Sequence, residues 1–393
     1  MKILHICPDY FPFSKGAMSF KLLSEYWCNE GHTVTVISST TKIKREKGIN
    51  ISHGKTYFFT LFKLPSRFSE GEYYSPIKYR DRLILKHFCK YELSGYDVIF
   101  VEGFLEGLPR LFLKYLNKFG LRKKAVFINH GLPEASYDKL LSKLSSLSHK
   151  SIGKILAEGV EKFVVYSDYT KMQLRQILRV PETKIFKIKL GIDVDTFLKY
   201  AYLNTKSENS IFNNVEADYI LAIGRYDKIK GYEILLKSFS KLVKEFDNLK
   251  LIIAGAETGY TNLLKNIASE LGIKQWVIFL GRISEEDKIK LMINCKVFVV
   301  PSLREGYGLN VIEASILGLK IVATDVGAHS EILQVYNNKI LVEANSVDGL
   351  YDGIFKMLNS KGQNIDISED YAERYDIKKT GQELLSLALN LRG

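Results

Sequence analysis

The residues best suited to chemistry lie close together in the second half of the chain. Glu305 and Glu313 are separated by seven residues, and two glycines occur in the turn between them. Glycine lets the backbone turn tightly and approach a ligand, and the free N–H groups at a helix start attract anions. The stretch therefore predicts a phosphate site flanked by two carboxylates. Its predicted ligand-binding residues are Gly306, Tyr307, Gly308, Leu309 and Asn310.

The flanking residues predict one strand–helix–strand unit that would position this turn. Residues 297–300 and 321–323 are short apolar runs rich in β-branched side chains, which is typical of strands. Between them, apolar residues recur with helical spacing up to Gly318, which predicts the helix end. A strand, a helix and a second strand form a βαβ unit. The Gly-rich turn is therefore predicted to end a strand and open a helix.

Two cations follow the first strand-like run of the second half. The run covers residues 219–223, and Arg225 and Lys230 come soon after it. Arginine can bind a phosphate with two parallel hydrogen bonds, whereas lysine acts as a point charge. The pair therefore suits a diphosphate group, with two solvated surface cations as the alternative interpretation.

The first half offers fewer candidates. His130 follows the strand-like run 125–129. A lone histidine is usually structural, but the carboxyl end of a strand in a doubly wound sheet is where ligands bind, so His130 is a candidate site residue. After the first strand, Gly16 lies in a long loop that lacks the GxGxxG pattern, which argues against a nicotinamide dinucleotide site.

Taken in order along the chain, these motifs resemble the retaining glycosyltransferases of family four, which have the GT-B architecture. That family carries Glu-Gly-Phe/Tyr-Gly-Leu…Glu-Ala, and this sequence matches it from Glu305 to Glu313. The resemblance implies that Glu305 contacts the donor sugar and Glu313 the ribose hydroxyls. It also implies that Arg225 and Lys230 neutralise the leaving group and that His130 lies beside the donor sugar and the acceptor. Glu305, His130, Arg225 and Lys230 are thus the predicted catalytic residues.

The resemblance also implies donor contacts at two positions where the motifs match the family less closely. Ile283 falls where the family holds the nucleobase against backbone, so we predict that it binds the donor. Of the family's Gly-Gly pair in the first loop, only the second is kept, at Gly16, and Lys15 replaces the first. The resemblance implies a UDP- or GDP-sugar as donor, no cofactor and no metal, and same-face attack assisted by the leaving phosphate.

The implied fold is α/β, with two Rossmann-like doubly wound domains facing an interdomain cleft. A chain of 393 residues fits two or three domains. We expect residues 1–203 to bind the acceptor and residues 215–374 to bind the nucleotide sugar. The polar, turn-rich stretch 204–214 predicts the linker. A helix at about 375–393 is expected to pack back on the first domain.

Composition restricts the class of protein. With 46% hydrophobic and 25% charged residues, the chain is typical of globular proteins. Its four cysteines show no disulfide or zinc spacing, which favours a reducing cytoplasm. The first residues run directly into a strand-length apolar segment, and about 18 consecutive apolar residues occur nowhere. We therefore expect neither a secretory signal nor a membrane span.

The charge is unevenly distributed. The net charge of +12 arises entirely in residues 1–200, because residues 201–393 carry more acidic than basic side chains. Residues 41–90 interleave cations with aromatic rings and read as irregular loops and short helices. Basic segments bind anionic lipid surfaces, and rings insert at the interface. The pattern predicts peripheral attachment to the inner membrane face and a lipid-linked or otherwise anionic acceptor. The family resemblance implies a glycan or lipid-linked acceptor, as in cell-surface polysaccharide or glycolipid synthesis.

Two other functions fit the same residues less well. An epimerase or phosphorylase of GT-B shape would keep the phosphate-binding motifs and differ in whether sugar reaches an acceptor. A nucleic-acid-binding protein is suggested by the net charge alone. Since no recognised binding motif accompanies that charge, we expect no nucleic-acid partner.

Overall fold

The computed structural model divides the chain into two compact units, which are Met1–Gly191 with Ile377–Gly393, and Ile192–Asp376. It describes residues 1–8, 15–40, 55–60, 79–103, 107–131, 160–205, 218–361 and 366–390. Most of the predicted linker at 204–214 lies outside these residues.

Each unit is built on a parallel β-sheet. The strands of the first unit are β1 (Lys2–Cys7), β2 (Thr33–Thr40), β3 (Lys55–Thr60), β4 (Val98–Glu102), β5 (Ala125–Asn129), β6 (Lys162–Val165) and β7 (Ile185–Lys187). Those of the second are β8 (Tyr219–Ile223), β9 (Lys250–Ala254), β10 (Val277–Gly281), β11 (Val297–Val300), β12 (Ile321–Thr324) and β13 (Lys339–Val342). The sheet orders are β3-β2-β1-β4-β5-β6-β7 and β10-β9-β8-β11-β12-β13.

The strand orders define where ligands would bind. In the first unit the order reverses between β1 and β4, and in the second between β8 and β11. Such a switch point, at the carboxyl ends of the strands, is the usual ligand site of open α/β sheets. Strands β4 and β5 are buried along their whole length, as expected of central parallel strands covered on both faces.

Helices connect the strands. They are α1 (Lys15–Asn29), α2 (Tyr79–Tyr91), α3 (Gly107–Lys118), α4 (Asp168–Leu178), α5 (Val194–Thr205), α6 (Tyr232–Leu242), α7 (Thr261–Glu270), α8 (Glu285–Asn294), α9 (Leu309–Ile316), α10 (His329–Ile332), α11 (Val347–Asn359), α12 (Glu369–Arg374) and α13 (Ile377–Leu389). Within the described residues, none of the helices has the length and apolar character needed to cross a membrane.

The structure moves one predicted boundary. The first domain is predicted to reach residue 203, but α5 belongs to the second unit because Val194, Phe197 and Ala201 are buried in its core. The helix predicted at about 375–393 corresponds to α13, which belongs to the first unit. There α13 packs on α1, and Nε1 of Trp27 donates a hydrogen bond to the carbonyl of Gly381 at 3.1 Å.

The prediction of irregular loops and short helices for residues 41–90 missed a strand. The aromatic residues Tyr57, Phe58 and Phe59 lie on β3, which pairs with β2 at the edge of the first sheet. Helix α2, which begins in this segment, agrees with the predicted short helices. The remaining cations and rings, at 41–54 and 61–78, lie outside the described residues.

Candidate active site

The Gly-rich turn connects β11 to α9, at the switch point of the second sheet. Gly308 precedes the first residue of α9 and has a φ of 102°, in the left-handed region that favours glycine. A Cβ atom at this position would lie 2.9 Å from Cδ2 of His329. Conformation and space therefore both require glycine immediately before the N–H groups of the helix.

The loop after β12 supports this turn from behind. The Thr324 hydroxyl donates to the carbonyl of Ser302 at 2.6 Å. A Cβ atom on Gly327 would overlap the carbonyl oxygen of Glu305. The two loops therefore touch backbone to backbone, which fixes where the Glu305 side chain begins.

Glu305 forms an ion pair with Lys230, 75 residues earlier in the chain. Lys230 Nζ lies 2.6 Å from Oε2 of Glu305, and each side chain is 20% exposed. Burial alone raises the pKa of Glu305, but the charge and hydrogen bond of Lys230 outweigh it and hold that pKa below its usual range. Glu305 is therefore a charged hydrogen-bond acceptor.

A glycine brings Lys230 to this position. Gly231 follows a short 3-10 turn, has a φ of 68°, and leaves no room for a Cβ atom beside the carbonyl of Pro301. The Leu303 N–H donates to the carbonyl of Ile229 at 2.7 Å. The loop after β8 therefore lies directly against the end of β11.

Arg225 has a different partner. It follows β8, as predicted, and its Nε donates to Oδ2 of Asp227 at 2.6 Å. The Arg225 side chain is 57% exposed. The sequence-predicted pair of cations thus divides into one lysine bound to Glu305 and one exposed arginine held by a neighbouring carboxylate.

Glu313 is buried against a lysine that sequence reasoning missed. Lys288, on α8, donates to Oε1 of Glu313 at 2.8 Å, and both side chains are less than 10% exposed. Burial lowers the pKa of Lys288, yet the charges of Glu313 and Glu285 outweigh this and raise it above the usual value. The sequence signal for the burial of Lys288 was its position next to Ile289, on the apolar face of α8.

The other predicted donor contacts surround the start of α9. Nδ2 of Asn310 donates to the carbonyl of Ile223 at 2.7 Å and so ties α9 to the end of β8. Tyr307, Leu309 and Ile283 are partly buried against the core of this unit. In the described parts of the chain, no group of three His, Cys, Asp or Glu residues could hold a metal ion.

In the first unit, His130 follows β5, and its Nε2 lies 2.7 Å from Oε2 of Glu102. Sequence reasoning did not single out Glu102, which ends β4 and is fully buried. Gly16 was predicted in a loop, but it lies in the first turn of α1, because that helix begins at Lys15.

Two family models match consecutive parts of the chain. The family described as glycosyltransferase family 4 matches residues 17–196, and the one described as glycosyl transferases group 1 matches residues 204–375. Together they cover most of the chain.

Curated proteins with similar sequences are named as glycosyltransferases. The phosphatidyl-myo-inositol mannosyltransferase of Mycobacterium tuberculosis is 25% identical over 367 residues, which are 92% of this chain and 88% of that protein. An uncharacterized glycosyltransferase of Methanocaldococcus jannaschii is 28% identical over 58% of this chain. The D-inositol 3-phosphate glycosyltransferase of Corynebacterium urealyticum is 23% identical over 60%. The matches span 61% and 58% of these last two proteins.

Solved structures share the fold. Sucrose-phosphate synthase from Thermosynechococcus elongatus superposes with a TM-score of 0.77 at 18% identity, over 99% of this chain and 98% of that one. Anabaena HepE, in complex with UDP and glucose, superposes with a TM-score of 0.71 at 16% identity, over 99% of this chain and 100% of that one. The fold is GT-B. The chain is a glycosyltransferase of the family 4 and group 1 type, with one model matching each part of it.

Proposed function

We propose that this chain transfers a sugar from a UDP- or GDP-sugar to a glycan or lipid-linked acceptor with retention of anomeric configuration. The observation that carries this proposal is the Lys230–Glu305 ion pair beside the start of α9. It puts a cation and a charged acceptor next to the first turn of a helix, whose N–H groups point toward an anion site. A sugar diphosphate needs those three features together.

The bond that breaks joins the anomeric carbon to a diphosphate oxygen. The N–H groups of α9, Arg225 and Lys230 would stabilise the negative charge that develops on that oxygen. An ammonium group has three donors, and in the described residues one of those of Lys230 goes to Glu305. The acceptor hydroxyl attacks the same face of the sugar and gives its proton to the departing phosphate. We propose that these cations make a metal ion unnecessary.

The donor preference rests on a structural neighbour and on the names of relatives. HepE, which shares the fold, binds UDP and glucose, and the names of several relatives include mannosyl transfer. We propose that Glu313, held by Lys288 at 2.8 Å, accepts hydrogen bonds from the ribose hydroxyls. Ribose is common to all candidate nucleotides, so this contact does not select the base.

Nucleotide-sugar binding tests the proposal directly. Thermal unfolding should be measured with UDP, GDP and ADP and with their glucose, galactose and mannose conjugates. One nucleotide should stabilise the folded chain by about 2.7 kcal/mol at 100 times its dissociation constant. With the preferred donor and a panel of octyl glycosides and phosphatidylinositol, nuclear magnetic resonance should show a product with the donor's anomeric configuration. Absence of stabilisation by every nucleotide, or an inverted product, would contradict the proposal.

The acceptor proposal rests on charge. The excess of positive charge lies in residues 1–200, which include most of the first unit. The half assigned to the anionic donor carries no such excess, so the donor does not account for the imbalance. An anionic acceptor or lipid surface does, and we propose peripheral attachment of a cytoplasmic enzyme to the inner membrane face.

Vesicle co-sedimentation tests the membrane proposal. Binding should require anionic lipid and weaken with salt, because the Debye length is only about 10 Å at 0.1 M. Neutralising Lys42, Lys44, Arg45 and Lys47 should reduce binding, since each cation near the surface contributes about 1 kcal/mol. The matched control neutralises the exposed lysines Lys237, Lys244, Lys265 and Lys274 of the second unit. Equal recovery with neutral and anionic vesicles would refute membrane attachment.

A further inference from the structure

A chain of polar side chains runs through the interior of the first unit and ends at His130. Oε1 of Glu102 lies 3.1 Å from Nε2 of His5, and Oε2 lies 2.7 Å from Nε2 of His130. On the far side, Nδ1 of His5 lies 2.8 Å from the hydroxyl of Ser24. His5, Glu102 and Ser24 are fully buried, whereas the side chain of His130 is 30% exposed. A set of buried polar groups thus lies behind one accessible imidazole.

The hydrogens on His5 follow from one assignment at Ser24. We assign the single hydrogen of the Ser24 hydroxyl to the carbonyl of Phe20, 2.9 Å away, so Nδ1 of His5 donates to the Ser24 oxygen. Burial raises the pKa of Glu102, but its interactions with the two histidines, led by the hydrogen bonds from His130 and His5, outweigh it and hold that pKa below its usual range. The ionised carboxylate accepts from Nε2 of His5, so His5 carries a hydrogen on both nitrogens.

This assignment balances the buried charges without His130. An unpaired charge in the interior is costly, but a hydrogen-bonded pair of opposite charges is tolerated. His5 and Glu102 form such a pair. His130 then donates from Nε2 to Glu102 as a neutral ring, which leaves the lone pair on Nδ1.

The ring of His130 is also held in place. Its centroid lies 5.3 Å from that of Phe20 and 5.2 Å from that of Tyr166, in tilted or edge arrangements. Among the residues that the structure describes, no hydrogen-bond donor or acceptor contacts Nδ1 of His130. An oriented acceptor atom is therefore left for a ligand at the carboxyl end of β5, near the switch point of this sheet.

We propose that Glu102 and His5 are positioning residues that keep His130 neutral, with Nδ1 accepting a hydrogen bond from a hydroxyl group of the sugar substrate. His5 supplies the countercharge for Glu102. Without it, Glu102 would favour a second hydrogen on His130 and turn Nδ1 into a donor, which a hydroxyl hydrogen cannot approach. This inference rests on the proposed function for the nature of the substrate, but not for the protonation of the two rings.

Nuclear magnetic resonance of the full chain labelled with 15N-histidine tests the protonation at pH 7. Long-range nitrogen–proton correlations distinguish protonated from bare ring nitrogens. One ring should carry hydrogens on both nitrogens and disappear in His5→Gln. A second should be protonated at Nε2 alone and disappear in His130→Gln. In His5→Phe, the His130 ring should become protonated at both nitrogens. A neutral His5, or a hydrogen on Nδ1 of His130 in the wild type, would overturn the inference.

Kinetics provide the second readout. Glu102→Leu removes the anchor of His130, so kcat/KM for sugar transfer should fall about tenfold or more, the effect of one hydrogen bond. His87→Asn, an exposed histidine on α2, should leave kcat/KM unchanged. If the wild type transfers sugar and folded Glu102→Leu keeps the full rate, the inference fails while the proposed function stands. If the wild type transfers none, the proposed function fails and the spectra alone decide the protonation.

Discussion

Replacing Glu305 with Gln is expected to lower kcat by two orders of magnitude or more. Gln has the same shape but no charge, so the hydrogen bond to the donor sugar weakens where positive charge develops at the anomeric carbon. Removing one such electrostatic contact typically costs about 10²–10³ in kcat. The loss should appear in kcat more than in KM, because the contact is strongest in the transition state.

Two further variants test whether the loss of kcat is specific to Glu305. Glu270→Gln changes an exposed glutamate at the end of α7 in the same unit and should leave kcat unaltered. Glu313→Gln should mainly raise the dissociation constant of the nucleotide, measured by calorimetry, because Glu313 is predicted to contact ribose. Circular dichroism would establish that each variant folds. A Glu305→Gln enzyme with the wild-type kcat would show that Glu305 has no part in the reaction.

The local structure of the second unit agrees closely with the prediction from its sequence. The apolar runs at 297–300 and 321–323 become β11 and β12, with one residue added to the second. Helix α9 begins at Leu309, and Gly318, just after it, has a φ of 72°. These features are local, because glycine and β-branched residues restrict the backbone wherever they occur. Spacing alone was therefore enough to predict them.

Pairings across long sequence separations were not predictable. Nothing along the chain indicates that Lys230 meets Glu305, since the contact depends on Gly231 lying against Pro301. The position of Lys288 beside Ile289 indicates a buried face of α8, but it does not identify Glu313 as the partner. Its burial with Glu313 is a consequence of tertiary structure.

The contacts of His130 in the first unit were even harder to predict from the sequence. Glu102 and His5 lie on neighbouring strands, 97 residues apart in sequence. Both face the interior, where a charged residue is rare unless it is paired. A glutamate at the end of an apolar strand was the available signal, and its histidine partner on β1 could be found only from the sheet order.

Replacing Lys230 with Met is expected to lower kcat by about 10²–10³, because the variant loses a cation at the leaving diphosphate. It has a further effect on Glu305. In the wild type, Lys230 makes the largest contribution that lowers the pKa of Glu305, against burial, which raises it. Without Lys230, burial raises the pKa of Glu305 and favours its neutral form. Lys230→Met should therefore impair both the leaving group and the sugar contact.

A double-mutant cycle separates these effects. Gln at position 305 resembles a protonated Glu305, so adding Glu305→Gln to Lys230→Met should cost much less than it costs alone. Groups that act as a unit show such non-additivity. Lys228→Met, an exposed lysine on the same 3-10 turn, is the matched control and should keep the wild-type kcat. Strictly multiplicative losses in the cycle would show that Lys230 and Glu305 act independently.

EDTA should leave the wild-type rate unchanged, because Arg225, Lys230 and the helix N–H groups together stabilise the diphosphate. A requirement for magnesium or manganese would contradict the proposed role of the two cations.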